Sequence, residues 1–437
     1  MMEWYWALGF LLGLVLLFMA IGTPIAFGFL GANIIGAWYF MGGEAGLTQL
    51  LDNGFGALSK FSLVPIPLFL LMGELFFRTG LGMQMFNAID RLMGRIPGRL
   101  SYVTVLGGTA FSTLSGSSMG STALLGSLLV PEMERRGYKK HMSIGPILGT
   151  GGLAIIIPPS ALAVLLATLA KIDIGSLLIA GILPGFVLAA MYMFTVWIQT
   201  KIDPDAAPAY DVEHVEFKEK IRLLLINIIP MISIMIIIVT MMLSGFATPS
   251  ESAAFGALGV VLLALVYRRM TWKAFKESVT GALKVTLMAY IIVFGSATFS
   301  QLLAFSGASS GLIQWAMSFD LAPMMTLLAM FGVLLLLGTF MEQISIMMLT
   351  VPFFFPLAAN LGFDPVWFGI ITLLALEISF STPPLGLLLF VMKGVSPNTP
   401  MSVIYRSAIP FIACSLLLVV ILIIFPPLAG WLPQLMN

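Results

Sequence analysis

The sequence predicts an all-α polytopic membrane protein: about ten spanning helices plus two oppositely oriented re-entrant hairpins, arranged as two inverted-topology repeats. Three observations lead there: a composition that water cannot solvate, a one-sided distribution of Lys and Arg, and a match of the chain to itself at a constant offset. Of 437 residues, 59% are hydrophobic and 9% charged, with 43 Gly. Soluble domains carry about 25% charged residues, so a water-soluble fold of this size would lack the charge to cover its surface. Many windows of roughly 17–25 residues, the length of a helical crossing, contain no charge at all. Membrane lipid is therefore the solvent for most of the chain.

The same arithmetic excludes several functions. The net charge is +1, from 21 basic and 20 acidic residues, so no basic surface is available to grip nucleic acid. Cys414 is the only cysteine and lies in an apolar run, while His141 and His214 flank polar loops. Neither a disulfide framework nor a Cys/His metal cluster can be assembled from them. The N-terminus enters its first apolar run without a basic leader or a small-residue cleavage site, and is read as a spanning helix, not a removable signal.

Long apolar runs at about 4–22, 24–42, 62–77, 141–170, 176–199, 224–245, 250–267, 285–305, 365–392 and 403–430 predict ten crossings. Segments 101–133 and 321–357 are apolar but interrupted, by Ser115-Gly116-Ser117-Ser118 and by Gly338-Thr339-Phe340-Met341-Glu342. Either could be a continuous span or a hairpin. Basic residues separate the two choices. With both as hairpins, 19 of the 21 Lys and Arg fall on one face, leaving only Lys60 and Lys171 on the other. The positive-inside rule makes the crowded face cytoplasmic and places both termini outside. Segments 84–97 and 270–283 mix basic and apolar residues and read as amphipathic arms on the cytoplasmic surface.

Shifting the chain by 225 residues superposes Thr23-Pro24 on Thr248-Pro249, Pro131 on Pro356, and Pro158-Pro159 on Pro383-Pro384, without a gap. Five crossings per copy is an odd number, so the second copy is inverted. The predicted repeats are 1–223 and 224–437. Inverted halves with hairpins and interrupted helices are the signature of secondary transporters, whose site lies near the bilayer midplane.

The interrupted helices supply the candidate site. In the first, Gly149-Thr150-Gly151-Gly152 precedes Pro158-Pro159; in the second, Ser379-Phe380-Ser381-Thr382 runs into Pro383-Pro384. Proline lacks an amide donor and clashes with the preceding turn, so a double proline frees carbonyls at mid-membrane. Such oxygens, with neighbouring hydroxyls, suit an alkali cation such as Na⁺, which needs no thiolate or imidazole. The second arm of the first hairpin starts at Ser117-Ser118, offering free amides and a positive dipole end to an anion. Buried carboxylates are functional candidates by default. Glu342 at the second tip is assigned to ion coupling or gating, and Glu377 to orienting the break or carrying a proton. Glu74 and Glu251, nearer helix ends, are read as structural. Every Lys and Arg falls at a predicted membrane interface and none offers itself to line the site, so an anionic substrate would be held by helix dipoles, amides and hydroxyls, with cations compensating its charge.

At these residues the chain resembles the DctM-like large membrane subunit of tripartite ATP-independent periplasmic (TRAP) transporters. The resemblance covers nearly the whole chain. It rests on Ile66-Pro67-Leu68-Phe69 through Gly73-Glu74, Ser115 to Ser118, Gly149 through Ser160, Ala247-Thr248-Pro249-Ser250-Glu251, Gly338 to Glu342, and Ser381-Thr382-Pro383-Pro384-Leu385-Gly386. It implies an elevator transporter of the bacterial inner membrane, with a transport domain of about 101–170 plus 321–392 sliding against a scaffold of the remaining helices. Partners implied are a small four-helix DctQ-like membrane subunit, expected as a separate polypeptide, and a periplasmic substrate-binding protein. The cargo implied is an organic anion such as a C4-dicarboxylate or sialic acid, imported with sodium and without ATP. By carry-over, Na⁺ sites would use Ser115, Gly116, Ser117 and Ser118 with Gly149, Thr150, Gly151, Gly152 and Pro158. The second set would be Gly338, Thr339 and Glu342 with Ser379, Ser381, Thr382 and Pro383. No other cofactor and no catalytic residue is expected. Alternatives that the residues leave open are an intramembrane enzyme using Glu342 and Glu377 as acid and base, a passive channel, and a stand-alone sodium-coupled anion transporter.

Overall fold

The computed structural model describes residues 3–210 and 216–436, so His214 lies outside the described residues. These residues fold as helices, with no strand among them. Helix starts are set by local chemistry. Pro65, Pro249, Pro323 and Pro365 each occupy a first turn, where the missing amide costs nothing. Thr248 and Glu251 form a reciprocal capping box, and Asp364 accepts the Trp367 amide at 2.7 Å.

Both interrupted segments are hairpins of two helices. The first pairs Arg99–Ser115 with Ser118–Arg135, turning at Gly116, whose φ of +64° favours a residue without Cβ. The second pairs Pro323–Gly338 with Gln343–Asn360 across 339–342. The double prolines break their helices as expected. Lys140–Gly151 and the short Leu153–Ile156 stop before Pro158-Pro159, and the chain resumes as Ala161–Ala170 after a bend of 46°. Pro365–Ser381 likewise ends before Pro383-Pro384 and resumes as Leu387–Val395. Both Pro-Pro peptide bonds are cis.

Two features depart from the sequence reading. The segment 270–283 is not a separate arm: it is the first part of one helix, Trp272–Phe305, of 34 residues. At 1.5 Å per residue this helix is about 50 Å long, well beyond a hydrocarbon core of about 30 Å. The surplus at its start carries the basic residues Lys273 and Lys276 beyond the apolar part of the helix. A helix at Glu44–Leu58 was not anticipated, because Glu44, Asp52 and Asn53 break up its apolar pattern. The other arm is a helix, Leu81–Leu92. Among the described residues seven helices are long and apolar enough to cross a membrane, or eight if the bent pair is one span. Trp4–Ala20, Ala26–Phe40, Pro323–Gly338 and Pro365–Ser381 are apolar but shorter.

The helices pack in two sets. Trp4–Ala20, Ile25–Phe40, Pro65–Arg78, Ile229–Leu243, Pro249–Val266 and Trp272–Phe305 pack on one another. Ile182–Ile202 and Met401–Ile424 pack instead on the hairpins and broken helices, tied together by the Tyr192 and Ser415 hydroxyls at 2.9 Å. The seam between the sets runs where Pro65–Arg78 meets Arg99–Ser115 and Ala161–Ala170, and where Trp272–Phe305 meets Gln343–Asn360.

Candidate functional site

A cavity of about 240 Å³ lies on this seam, reached by both hairpin tips. Its polar lining is Glu74, Ser115, Ser117, Ser118, Glu342 and Gln343; none of the described residues lining it is Lys, Arg or His. Glu74 is already neutralised by Arg78, whose Nε lies 2.7 Å away and whose Nη1 reaches Glu277 at 3.1 Å. Glu342 stands at the start of Gln343–Asn360 but caps no amide, and among the described residues its carboxylate has no partner. Glu251, by contrast, is engaged in its capping box with Thr248.

The first tip is held against the wall of the cavity. Ser115 hydroxyl pairs with Ser121 at 2.8 Å, and the Ser115 carbonyl packs directly on Gly73. Ser117 Oγ accepts the Gly120 amide at 3.1 Å, so that hydroxyl serves as a helix cap. The Ser118 hydroxyl is different: it is buried near the Glu377 carboxylate without a partner at full hydrogen-bond distance, while those of Thr122 one turn further along and Ser112 on the facing arm are buried and unpartnered. A buried hydroxyl without a partner costs free energy. Thr122 Oγ1 and the Ser118 carbonyl both face Gly151, where a Cβ would intrude on them.

The residues of the first break divide. Gly151 faces the hairpin and Gly152 backs on the Glu377 carboxylate, whereas Gly149 packs on Phe411 and Thr150 returns its hydroxyl to the Pro146 carbonyl at 2.8 Å. Pro158 is buried within the break. In the second break, Gly338 lies against Ser379 with no room for a side chain. Ser379 Oγ bonds the Leu376 carbonyl at 2.8 Å, Ser381 Oγ reaches the Glu377 and Ile378 carbonyls at 3.2 Å, and Thr382 Oγ1 bonds Ile378 at 2.5 Å. Thr339 Oγ1 bonds the Leu336 carbonyl at 2.7 Å and Pro383 sits in the turn. The carbonyls of Phe380 and Thr382 converge on Gly386.

Glu377 is 4% exposed and accepts Gln343 Nε2 at 3.3 Å. It thus links the second broken helix to the second hairpin and touches the first break through Gly152.

A family model described as the tripartite ATP-independent periplasmic transporter, DctM component, matches residues 12–428. The chain belongs to this family. The C4-dicarboxylate TRAP transporter large permease protein DctM of Pseudomonas aeruginosa is 32% identical over 382 residues, 87% of this chain and 88% of that one. The sialic acid TRAP transporter large permease protein SiaM of Vibrio cholerae is 27% identical, with 95% of each chain covered. The YdaH transporter of Alcanivorax borkumensis, 14% identical, superposes with a TM-score of 0.65 over 95% of this chain and 99% of that one. At that identity the likeness is one of fold.

In this multi-pass TRAP large permease the site also contains Ser112 and Gln343, which sequence reasoning passed over, and Thr122 and Gly73, which lay in or beside the motifs without a role of their own. Thr122 carried a signal, since it lies four residues after Ser118 and hence on the same helix face. Gln343 directly follows Glu342. Ser112 and Gly73 had none, because their role depends on which neighbour the helix meets.

Proposed function

We propose that the chain is the large permease subunit of a sodium-coupled importer of organic anions, working by alternating access. The observation that carries this reading is the meeting of two hairpin tips and two broken helices, with the Ser118 and Thr122 hydroxyls buried and the Thr122 hydroxyl and the Ser118 carbonyl turned toward Gly151. Neutral, hard oxygens in that arrangement fit an alkali cation. The first set of ligands would be Ser118, Thr122 and backbone around Gly151 and Gly152. The second would be backbone carbonyls near Gly338, Phe380 and Thr382. The substrate's carboxylate would meet the start of Ser118–Arg135, where amides and a positive dipole end favour negative charge. Relatives named for C4-dicarboxylate and sialic acid support an organic acid as cargo.

An elevator motion is supported by the two packing sets. We assign Ile182–Ile202 and Met401–Ile424 to the moving body with the hairpins and broken helices, since they pack there and not on the other set. The helix bounds support an internal repeat: Gln343–Asn360 begins 225 residues after Ser118–Arg135, and Leu81–Leu92 and Ala308–Met317 recur at nearly the same spacing. Inverted halves, ten crossings and outer termini belong to this reading. So do a DctQ-like subunit and a periplasmic binding protein as partners.

The test is flux in proteoliposomes containing both membrane subunits, with the binding protein added outside. Uptake should require the binding protein loaded with its acid and an inward sodium gradient, and Ser117→Leu should abolish it while leaving the complex assembled. Uptake that persists without sodium would remove the coupling assignment. Current without coupling would indicate a channel, and product without flux an enzyme.

A further inference from the structure

The sequence leaves two basic residues on the face opposite the cytoplasmic cluster, and the fold brings both to one place. Lys60 precedes Pro65–Arg78, a helix whose far end carries Arg78. Lys171 closes Ala161–Ala170, and the far end of that bent helix begins at Lys140. Both lysines therefore sit at the end opposite the basic face. They line a single pocket of about 410 Å³ on the seam between the two packing sets, together with Ser62, Thr168 and Thr248.

Neither ammonium has an ion-pair partner among the described residues, although acids are close by. Asp173 lines the same pocket but directs Oδ1 to the Ser176 amide at 2.6 Å as a helix cap. Glu251 is held by the Thr248 amide and hydroxyl, both at 2.8 Å. The Lys171 backbone is in the left-handed region, with φ of 56°, so the chain reversal after Ala170 sets where its side chain departs. Both lysine side chains are exposed, and with Asp173 as the one acid among the residues lining this pocket, two positive charges against one negative leave the lining net positive, which favours an anion.

The pocket also neighbours the inner cavity along the same two helices. Pro65 and Thr168 line the outer space, while Ile66, Leu70, Leu162 and Leu165, further along the same two helices, line the inner one. The two spaces are stacked along one helix–helix seam.

We infer that Lys60 and Lys171 form an outer vestibule that binds the carboxylate of a small organic acid before it reaches the hairpin tips. The inference rests on the importer reading for its direction. A concave site with hydroxyls beside two ammonium groups suits a small carboxylate better than a protein surface, and the volume is in the range of small-molecule sites. One lysine belongs to each packing set, so the bound acid bridges the two bodies.

The test is amine-reactive labelling of the assembled membrane complex in nanodiscs, read by mass spectrometry at Lys60 and Lys171, with Lys201 and Lys273 as controls. Succinate and gluconate serve as probes, against chloride at equal ionic strength. Either acid should lower labelling of both lysines at least about threefold and leave the controls unchanged. Lys60→Gln should raise the acid concentration that half-protects Lys171 about fivefold or more, and Lys171→Gln should do the same for Lys60. Labelling equal to that in chloride would overturn the vestibule, as would protection only by the binding protein, which would make the lysines a protein-docking site. Protection in a permease that shows no sodium-driven uptake would keep the vestibule and remove the importer reading; uptake with no protection would do the reverse.

Discussion

The carbonyl of Ser115, at the tip of the first hairpin, rests on the Cα of Gly73 in the middle of Pro65–Arg78, leaving no space for even a methyl group between them. Gly73 is thus the seat of the hairpin tip on the opposite helix set, and the adjacent Glu74 faces the cavity that the tip encloses.

Replacing Gly73 should act through this contact. Overpacking costs about 1–3 kcal/mol, and here the obstacle is backbone, not a flexible side chain. Gly73→Val should lower sodium-driven uptake about tenfold or more, with the complex still extracted as a monodisperse species. Wild-type uptake by Gly73→Val would show that the tip need not occupy this seat.

Ser118→Ala and Thr122→Val each remove one buried oxygen with little change in shape. Losing one ligand should raise the sodium concentration for half-maximal uptake about fivefold to thirtyfold, the equivalent of about 1–2 kcal/mol. Sodium titrations of initial rate measure this directly. An unchanged sodium dependence in both variants would take the hydroxyls out of the cation site.

Gln343 is a side-chain donor to the buried Glu377 carboxylate. Gln343→Leu should destabilise the protein by about 1–3 kcal/mol, because a buried acceptor loses its partner. Glu377→Gln retains an acceptor for the same amide and should cost less. Thermal midpoints of the purified complex would rank the two, and the reverse order would contradict the assigned pairing.

Arg99, 2% exposed, holds the end of the Leu81–Leu92 arm through Nη2, which donates to the Asp90 carbonyl at 2.5 Å and lies 3.1 Å from its carboxylate. Arg99→Leu would leave Asp90 half-buried beside the first hairpin without this cation. A loss of about 3 kcal/mol is expected for breaking a buried pair, reduced because Asp90 keeps some solvent. Asp90→Asn preserves the backbone hydrogen bond and should lose less. Limited proteolysis at the 93–98 turn would report the difference, and equal protection in both variants would argue against the tether.

How much of this was legible in sequence depended on the residue. Gly116 marked the first turn because a left-handed backbone needs a residue without Cβ, and Pro158-Pro159 and Pro383-Pro384 marked the breaks because proline cannot donate to the helix. The separation of Gly149 and Thr150 from Gly151 and Gly152 was not legible. Three of the four are glycines, and only their neighbours tell them apart: Phe411 for Gly149, Thr122 for Gly151 and Glu377 for Gly152. The Trp272–Phe305 helix was misdivided at Lys284 for a related reason: a charge can mark a membrane boundary without ending the helix that crosses it.

By itself the sequence determined the solvent of the chain, the positions of its turns and breaks, and the uneven placement of its basic residues. Each follows from a property of one residue or a short run: transfer free energy, a missing amide, a permissive φ. Tertiary structure alone decided which hydroxyls remain without partners and which helices pack together. It also decided that Lys60 and Lys171 share a pocket. In a span that is apolar on every side, no periodicity marks the inward face, so what a side chain meets is settled only when the helices pack.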